Sequence, residues 1–315
     1  MTFGGPEVLD VLRLPSPEPG PREVRIRVHA ASVSPADTAF RSGAGLARLI
    51  REGAQPPFIP GLDAAGVVDG IGPDSDARLA LGDRVVAFVR ASDPHGGAYT
   101  EQVVVPAASV VHAPPKAPLA GASTLLVSAL TARLALDALA LPAGRTVAVT
   151  GAAGGVGGYV IELAKGDGLE VVADAAAADE DLVRSLGGDV VVERGPGFAA
   201  AVRAARPAGV DGLVDAAALG RAVLAAIRDG GGLAAVRPWA GPDERDIVVH
   251  SVNSLLAAAD TAKLQQLSNQ VEQGIITLRV AALMPPEQAA AAHRLVEQGG
   301  RRGRIVLDFS PVEES

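Results

Sequence analysis

The alternation of apolar and polar positions along this chain changes period once, near residue 115. Before that point the apolar runs are short. Residues 22–33 place Val24, Ile26 and Val28 on one side, the two-residue period of a half-buried strand. A second extended stretch lies within 58–72, around Ala65-Gly66-Val67-Val68. The turn signal Gly82-Asp83 leads into another over 84–89, and 99–105 gives a further one that Pro106 ends. Many short strands between Gly and Pro turns predict a barrel or sandwich rather than a sheet with crossover helices.

After Pro114-Pro115 the period lengthens. Residues 119–139 are rich in Ala and Leu and read as helix. Strands at 146–150, 170–175, 189–193, 212–216 and 233–236 then alternate with helices at 155–165, 179–186, 198–205 and 219–228. That alternation predicts a doubly wound parallel sheet. A β-patterned stretch at 246–253, helices at 257–273 and 286–298, and a strand at 304–309 complete the chain.

Composition narrows the possibilities. Of 315 residues 48% are hydrophobic but only 3% aromatic, so the core must be built from Ala, Val and Leu. A net charge of -8 with scattered bases offers no basic patch for nucleic acid. The absence of cysteine removes disulfides, thiolate nucleophiles and cysteine zinc sites together. No apolar run is expected to reach the ~18 residues of a membrane span. The first residues lack a basic segment followed by an apolar one, so no secretory signal is expected. These features fit a cytoplasmic protein acting on a small molecule, with neither membrane nor nucleic acid as partner.

The strongest motif is Thr146-Val147-Ala148-Val149-Thr150 followed by Gly151-Ala152-Ala153-Gly154-Gly155-Val156-Gly157. A glycine-rich turn after a strand lets backbone approach a pyrophosphate, and the helix it opens turns N–H groups toward the negative charge. Ala152, Gly154 and Gly157 occupy an Ala-x-Gly-x-x-Gly fingerprint, with Gly155 and Val156 in the same cofactor-binding turn. Asp174 ends the second strand of this region. It stands where an acid would bind the adenosine ribose 2′-OH, or else it is a strand end that faces solvent. The following residues 175–181 include Asp179, Glu180 and Asp181 and no Lys or Arg; Arg184 is the first base. Local chemistry therefore favours NADH, because a 2′-phosphate would want a basic partner there.

With several others, these residues resemble the medium-chain quinone oxidoreductase family. Gly4-Gly5-Pro6-Glu7-Val8-Leu9, Ala31-Ser32-Val33-Ser34-Pro35-Ala36-Asp37, Phe40-Arg41-Ser42-Gly43 and Pro60-Gly61-Leu62-Asp63-Ala64-Ala65-Gly66 follow the family's order. So do Gly82-Asp83-Arg84-Val85, Gly96-Gly97-Ala98-Tyr99-Thr100-Glu101, Ala292-His293-Arg294-Leu295 and Gly303-Arg304-Ile305-Val306-Leu307. The resemblance implies a GroES-like barrel domain from 1–115 and 279–315, a Rossmann domain over 116–278 inserted in it, and an active site in the cleft. It implies NADPH-dependent reduction of quinones or α,β-unsaturated carbonyls, and a homodimer formed by pairing edge strands, here 246–253. It also implies a zinc-free enzyme, since the related zinc alcohol dehydrogenases place Cys near Ser34 and His near Leu62. The five histidines, His29, His95, His112, His250 and His293, have no His-x-x-x-His spacing and read as ordinary surface or strand residues.

By the same resemblance Ser34, Thr38 and the backbone around Asp37 are the catalytic candidates that would polarise the acceptor oxygen. Thr131 is expected beside the nicotinamide, the alternative being a helix hydroxyl bonded back to a carbonyl. Arg304 is assigned to the cofactor, and Phe40 and Trp239 to the substrate; Trp239 alternatively is a packed loop ring. Asp63 reads as a structural acid, and Tyr99 as strand architecture or a phenolic proton donor. The chain departs from the family's pattern at Ser34, usually Asn, and at Thr38-Ala39, where many members have Tyr. It also lacks the basic 2′-phosphate anchor, and Met1 falls where the family's first strand has already ended. Two further readings therefore accompany the reductase: a reductase-fold enzyme recruited to non-redox cyclase or lyase chemistry in secondary metabolism, and a non-catalytic dinucleotide-binding protein.

Overall fold

In the computed structural model, which describes residues 3–44, 56–75, 77–241 and 244–310, the alternation at Val24, Ile26 and Val28 becomes strand β1 (Glu23–Val33). All three side chains are buried. The chain divides into a first unit of Met1–Val127, Leu255–Glu272 and Leu278–Ser315, and a second of Ser128–Ser254 and Gln273–Thr277.

The first unit joins β1 to β2 (Asp63–Ile71), β3 (Arg84–Phe88), β4 (Gln102–Pro106), β5 (Val110–His112), β12 (Val280–Met284) and β13 (Arg304–Asp308). The order is β12-β13-β1-β2-β3-β5, with β4 also on β1. Register shifts at Arg25/Ile26 and Val28/Ala30 bend β1. Its first half lies between β2 and β4 and its second between β2 and β13. Val24, Ile26, Ala64, Val68, Val85, Ala87, Val103 and Val105 fill the interior of this GroES-like barrel.

Two of these strands escape the sequence pattern. β5 has three residues, too few to show a period. β12 is an edge strand whose residues are all partly or fully exposed, so it carries no alternation. The strand expected over 99–105 starts later, at Gln102. The amides of Gly97, Ala98 and Tyr99 are spent on the carbonyls of Ile59, Gly61 and Pro60, which makes that stretch a loop-to-loop clasp.

The helix expected over 119–139 divides into α2 (Leu119–Ala122) and α3 (Leu126–Leu139). At the break the hydroxyls of Ser123 and Thr124 donate to the carbonyls of Ala120 and Gly121, both at 2.8 Å. This run of 21 residues, mean hydropathy 1.6, is long and apolar enough to cross a membrane, contrary to expectation. Its most apolar 18-residue window is 72% buried inside the fold, as a core helix would be. The first unit also includes α1 (Pro35–Arg41), α7 (Thr261–Glu272) and α8 (Ala289–Gln298).

The division of the chain differs from the expected one mainly over 116–127 and 255–272. Residues through Val127 stay with the barrel, as does α7, which bonds β5 directly. Ser268 Oγ donates to the His112 carbonyl at 2.7 Å, and Thr261 Oγ1 to that of Ala108 at 2.7 Å.

The second unit is a six-stranded sheet of order β11-β10-β9-β6-β7-β8, its strands paired in parallel. Its strands are β6 (Thr146–Thr150), β7 (Glu170–Ala175), β8 (Val190–Glu193), β9 (Val210–Asp215), β10 (Ile227–Ala235) and β11 (Val248–Ser251). Helices α4 (Gly155–Gly166), α5 (Glu180–Ser185) and α6 (Phe198–Ala205) connect the first four. The order reverses at β6, whose neighbours are β7 and β9. This is the Rossmann topology predicted, with its switch point at the glycine turn. The helix expected over 219–228 is instead a 3-10 turn at Gly220–Ala226, and Ile227 already belongs to β10. Gly220 at φ 63 cannot enter an α-helix there, and Asp215 claims the amides of Leu219 and Gly220.

Candidate functional site

At the carboxyl end of β6 each glycine has a separate reason. Gly151 turns the chain at φ 63. A Cβ on Gly157 would lie 2.2 Å from the Gly151 carbonyl oxygen and 2.8 Å from Ala152 Cα, so only glycine lets α4 pack against this turn. A Cβ on Gly154 would meet just one atom, the Gly151 oxygen at 3.0 Å, and otherwise project into open space. Gly154 is the N-cap of α4 and has no side-chain cap, so the first amides of α4 lack intrahelical partners. Open space in front of uncapped amides at a helix N-terminus is the environment a pyrophosphate requires, and Gly154, Gly155, Val156 and Gly157 would hold it.

Of its two expected roles, Asp174 departs from the solvent-facing one. It is 2% exposed, and its Oδ1 accepts the Ala152 amide at 2.8 Å. It therefore does not face solvent, and its Oδ1 holds the glycine turn. A matching arrangement lies on the other side of β6. Thr150 Oγ1 donates to Asp215 Oδ1 at 2.7 Å and accepts the Ala217 amide at 3.1 Å. Asp215, also 2% exposed, accepts the amides of Leu219 at 3.0 Å and Gly220 at 2.8 Å.

Arg184, the first base along the chain, is paired with Glu180 one helical turn away. Across the sheet a different base is near. Arg194 follows β8, is exposed, and its amide donates to the Ala175 carbonyl at 2.8 Å. Sequence reading missed it by searching along the chain rather than across parallel strands. Thr131 is half-buried on α3. Trp239, in the loop after β10, packs with Val249 against the core that includes Leu213 and Ile247, which favours the packed-ring alternative.

In the first unit the three catalytic candidates are already engaged. Ser34 caps α1 in a capping box: its hydroxyl donates to Asp37 Oδ2 at 2.6 Å and accepts the Asp37 amide at 3.3 Å. The Ser34 amide also donates to Asp37 Oδ2, at 2.7 Å, and the Gly61 amide to Asp37 Oδ1, at 3.1 Å. Thr38 Oγ1 donates to the Pro35 carbonyl at 2.9 Å. These bonds shape α1 and its contact with the 60–61 loop.

Behind α1 lies a buried polar group. Asp63 accepts the Val127 amide at 2.9 Å and the Ser32 hydroxyl at 3.2 Å, and burial pushes its carboxyl up to about 7. Burial also raises Asp37. The Arg304 charge opposes both shifts. The Tyr99 hydroxyl is 3.1 Å from His293 Nε2, and burial raises the phenol's pKa. His293 is fully buried; burial, then the Arg41 charge, holds it down at about 4, so its ring is neutral. Tyr99, half-buried, is thus paired with a buried neutral imidazole. Phe40 packs edge-on to Phe3, with ring centroids 6.2 Å apart, and Phe3 lies 5.0 Å from Phe58. All three rings are half-buried.

Comparison with known proteins agrees with this architecture. Residues 20–115 match the alcohol dehydrogenase GroES-like domain, and 186–307 match a family described as zinc-binding dehydrogenase. The chloroplastic quinone-oxidoreductase QR1 of Triphysaria versicolor is 36% identical over 196 residues, 60% of this chain and 58% of that protein. The match to this relative thus spans little more than half of its length. Over 98% of both chains, the fold superposes on the crystal structure of an NAD-dependent alcohol dehydrogenase with a TM-score of 0.84 and 30% identity. A mycobacterial protein complexed with NADPH gives 0.83 and 28%, again over 98% of each chain.

Proposed function

Since this chain belongs to the medium-chain dehydrogenase/reductase family, in its quinone oxidoreductase-like part, we propose that it is a zinc-free, NAD(P)H-dependent reductase of quinones or α,β-unsaturated carbonyls. The glycine turn carries the reading: Gly151 and Gly157 are required by the backbone, whereas Gly154 leaves open the space a pyrophosphate would fill. Bound NAD(P)H would supply the hydride. The chain's part is to hold the pyrophosphate on the first turn of α4 and to offer Arg194 to a 2′-phosphate. NADPH is the first choice of cofactor, with NADH as the alternative. The half-exposed trio Phe3, Phe40 and Phe58 gives a planar acceptor an apolar aromatic surface in a chain otherwise poor in such rings. With the Ser34 and Thr38 hydroxyls committed, the proton that completes reduction is drawn from solvent.

Zinc does not fit the donor set. There is no cysteine, Ser34 is locked in its capping box, and Leu62 has no donor atom. Among the described residues no group of three or more His, Asp or Glu could hold a metal ion. The protein is further proposed to pair with a second copy through β11, an edge strand with Val248 exposed.

The engaged Ser34 and Thr38 hydroxyls also favour a second reading, non-redox chemistry on the same fold, because neither is left to stabilise an enolate. Anaerobic titration with NADPH and NADH, followed by a panel of quinones and enones, separates the two. Oxidation of the reduced cofactor by a panel member supports the reductase. Tight binding with no oxidation by any of them counts against the reductase and supports either non-redox chemistry or dinucleotide binding without catalysis.

A further inference from the structure

Two aspartates flank the end of β6, one on each neighbouring strand, and each spends its carboxylate on backbone or hydroxyl donors of the loops there. Asp174 on β7 takes the Ala152 amide; Asp215 on β9 takes Thr150 Oγ1 and the amides of Leu219 and Gly220. Thr150 links them in sequence, since it precedes Gly151 and also accepts the Ala217 amide. A Cβ on Gly151 would meet Ala217 N at 3.3 Å, so the turn 151–154 and the loop 216–220 lie against each other. A buried carboxylate is expensive to desolvate, and a strand end surrounded by backbone amides is one of the few places that compensates it.

We propose that Asp174 and Asp215 are positioning residues of the dinucleotide site, each fixing one of the two loops beside the pyrophosphate position, and that Asp174 makes no contact with the ribose. This rests on the dinucleotide-binding reading above. Because Asp174 is only 2% exposed and turns Oδ1 to the Ala152 amide, it does not discriminate between NADH and NADPH. Its removal lets the turn sample shapes in which the α4 amides no longer converge, which weakens both cofactors alike.

The test uses the full-length protein and dissociation constants for NADPH and NADH. Asp174→Ala is expected to weaken both by roughly tenfold, the scale of one buried charge-assisted hydrogen bond. Asp174→Asn, whose carboxamide oxygen can still accept from Ala152, should bind both as tightly as wild type. The NADPH to NADH ratio should stay within about twofold in each variant. Thr150→Val should weaken both cofactors, and Thr150→Ser should restore them. Hydrogen exchange at the Ala152 amide gives a second measurement: slow in wild type and Asp174→Asn, fast in Asp174→Ala. Should Asp174→Ala prove unstable, Asp174→Asn and the Thr150 pair still decide the matter. A ratio that moves fivefold or more in Asp174→Asn means that the carboxylate reads the ribose, and overturns the proposal. So does an Asp174→Ala variant that binds like wild type. A wild-type protein that binds neither dinucleotide removes the functional reading and this proposal together, a result distinct from either of those.

Discussion

The carboxylate of Asp63 accepts the backbone N–H of Val127 at 2.9 Å, tying the first residue of β2 to the first turn of α3. Burial holds that carboxyl at about 7. The folded protein therefore keeps a proton that the unfolded chain, at about 4, has lost. Between those values the native state binds more protons, so this group's contribution is fully present below about pH 4 and disappears as pH rises through about 7. His293 acts oppositely: its folded value of about 4 lies below the ordinary one, and its contribution is lost as pH falls from about 6.5 toward 4. Comparing Asp63→Asn with wild type isolates the first effect. The variant should gain on wild type as pH rises, by at most about 1.4 kcal/mol per pH unit and a few kcal/mol in all. Denaturant melts at about pH 5 and about pH 8 check this; a difference between the proteins that does not change with pH would refute it.

Gly154→Val and Gly157→Ala should fail in different ways. The valine would occupy space that only a ligand needs, so the protein should stay folded while dinucleotide binding weakens by more than about tenfold. The alanine would drive a methyl group into the Gly151 carbonyl, costing on the order of 1–3 kcal/mol of stability. Thermal melts paired with cofactor titration distinguish them. Equal loss of stability in both variants would contradict the assignment of roles.

Arg194→Glu should shift cofactor choice. Replacing a base by an acid one residue beyond β8 is expected to lower affinity for NADPH by roughly tenfold or more and leave NADH within about twofold. The ratio of dissociation constants is the readout. An unchanged ratio would place the 2′-phosphate elsewhere.

Val248 is 56% exposed on an edge strand, as an unpaired strand face would be before it meets a second copy. Wild type should sediment at micromolar concentration as a species of about twice 31.7 kDa. Val248→Lys should give the 31.7 kDa monomer. A wild-type monomer would remove the proposed dimer.

The fold was readable where burial has a regular period. Val24, Ile26 and Val28 announce β1, and residues 198–205 match α6 to the residue. It was unreadable where local bonding overrides pattern: at residues 97–99, whose amides go to the 59–61 loop, and at Gly220, which stops a helix that composition favoured. The site divides in the same way. A glycine turn is written in consecutive residues, so it was found. Arg194 became visible only once β7 and β8 were paired, because Ala175 and Glu193 are neighbours only in the sheet. The roles of Ser34, Thr38 and Asp174 turned on which hydrogen bonds each side chain makes, and residue type does not encode that.

Trp239 is the single tryptophan of the chain, packed in the loop after β10 against the core that includes Leu213 and Ile247. Ultraviolet emission from this protein thus comes from one indole at one address, with no background from a second. A shift in its wavelength on adding a ligand would report the environment of that loop alone. Resonance energy transfer to a reduced nicotinamide would give a distance from it. A chain this poor in aromatic residues carries its own spectroscopic label in the loop beside β11.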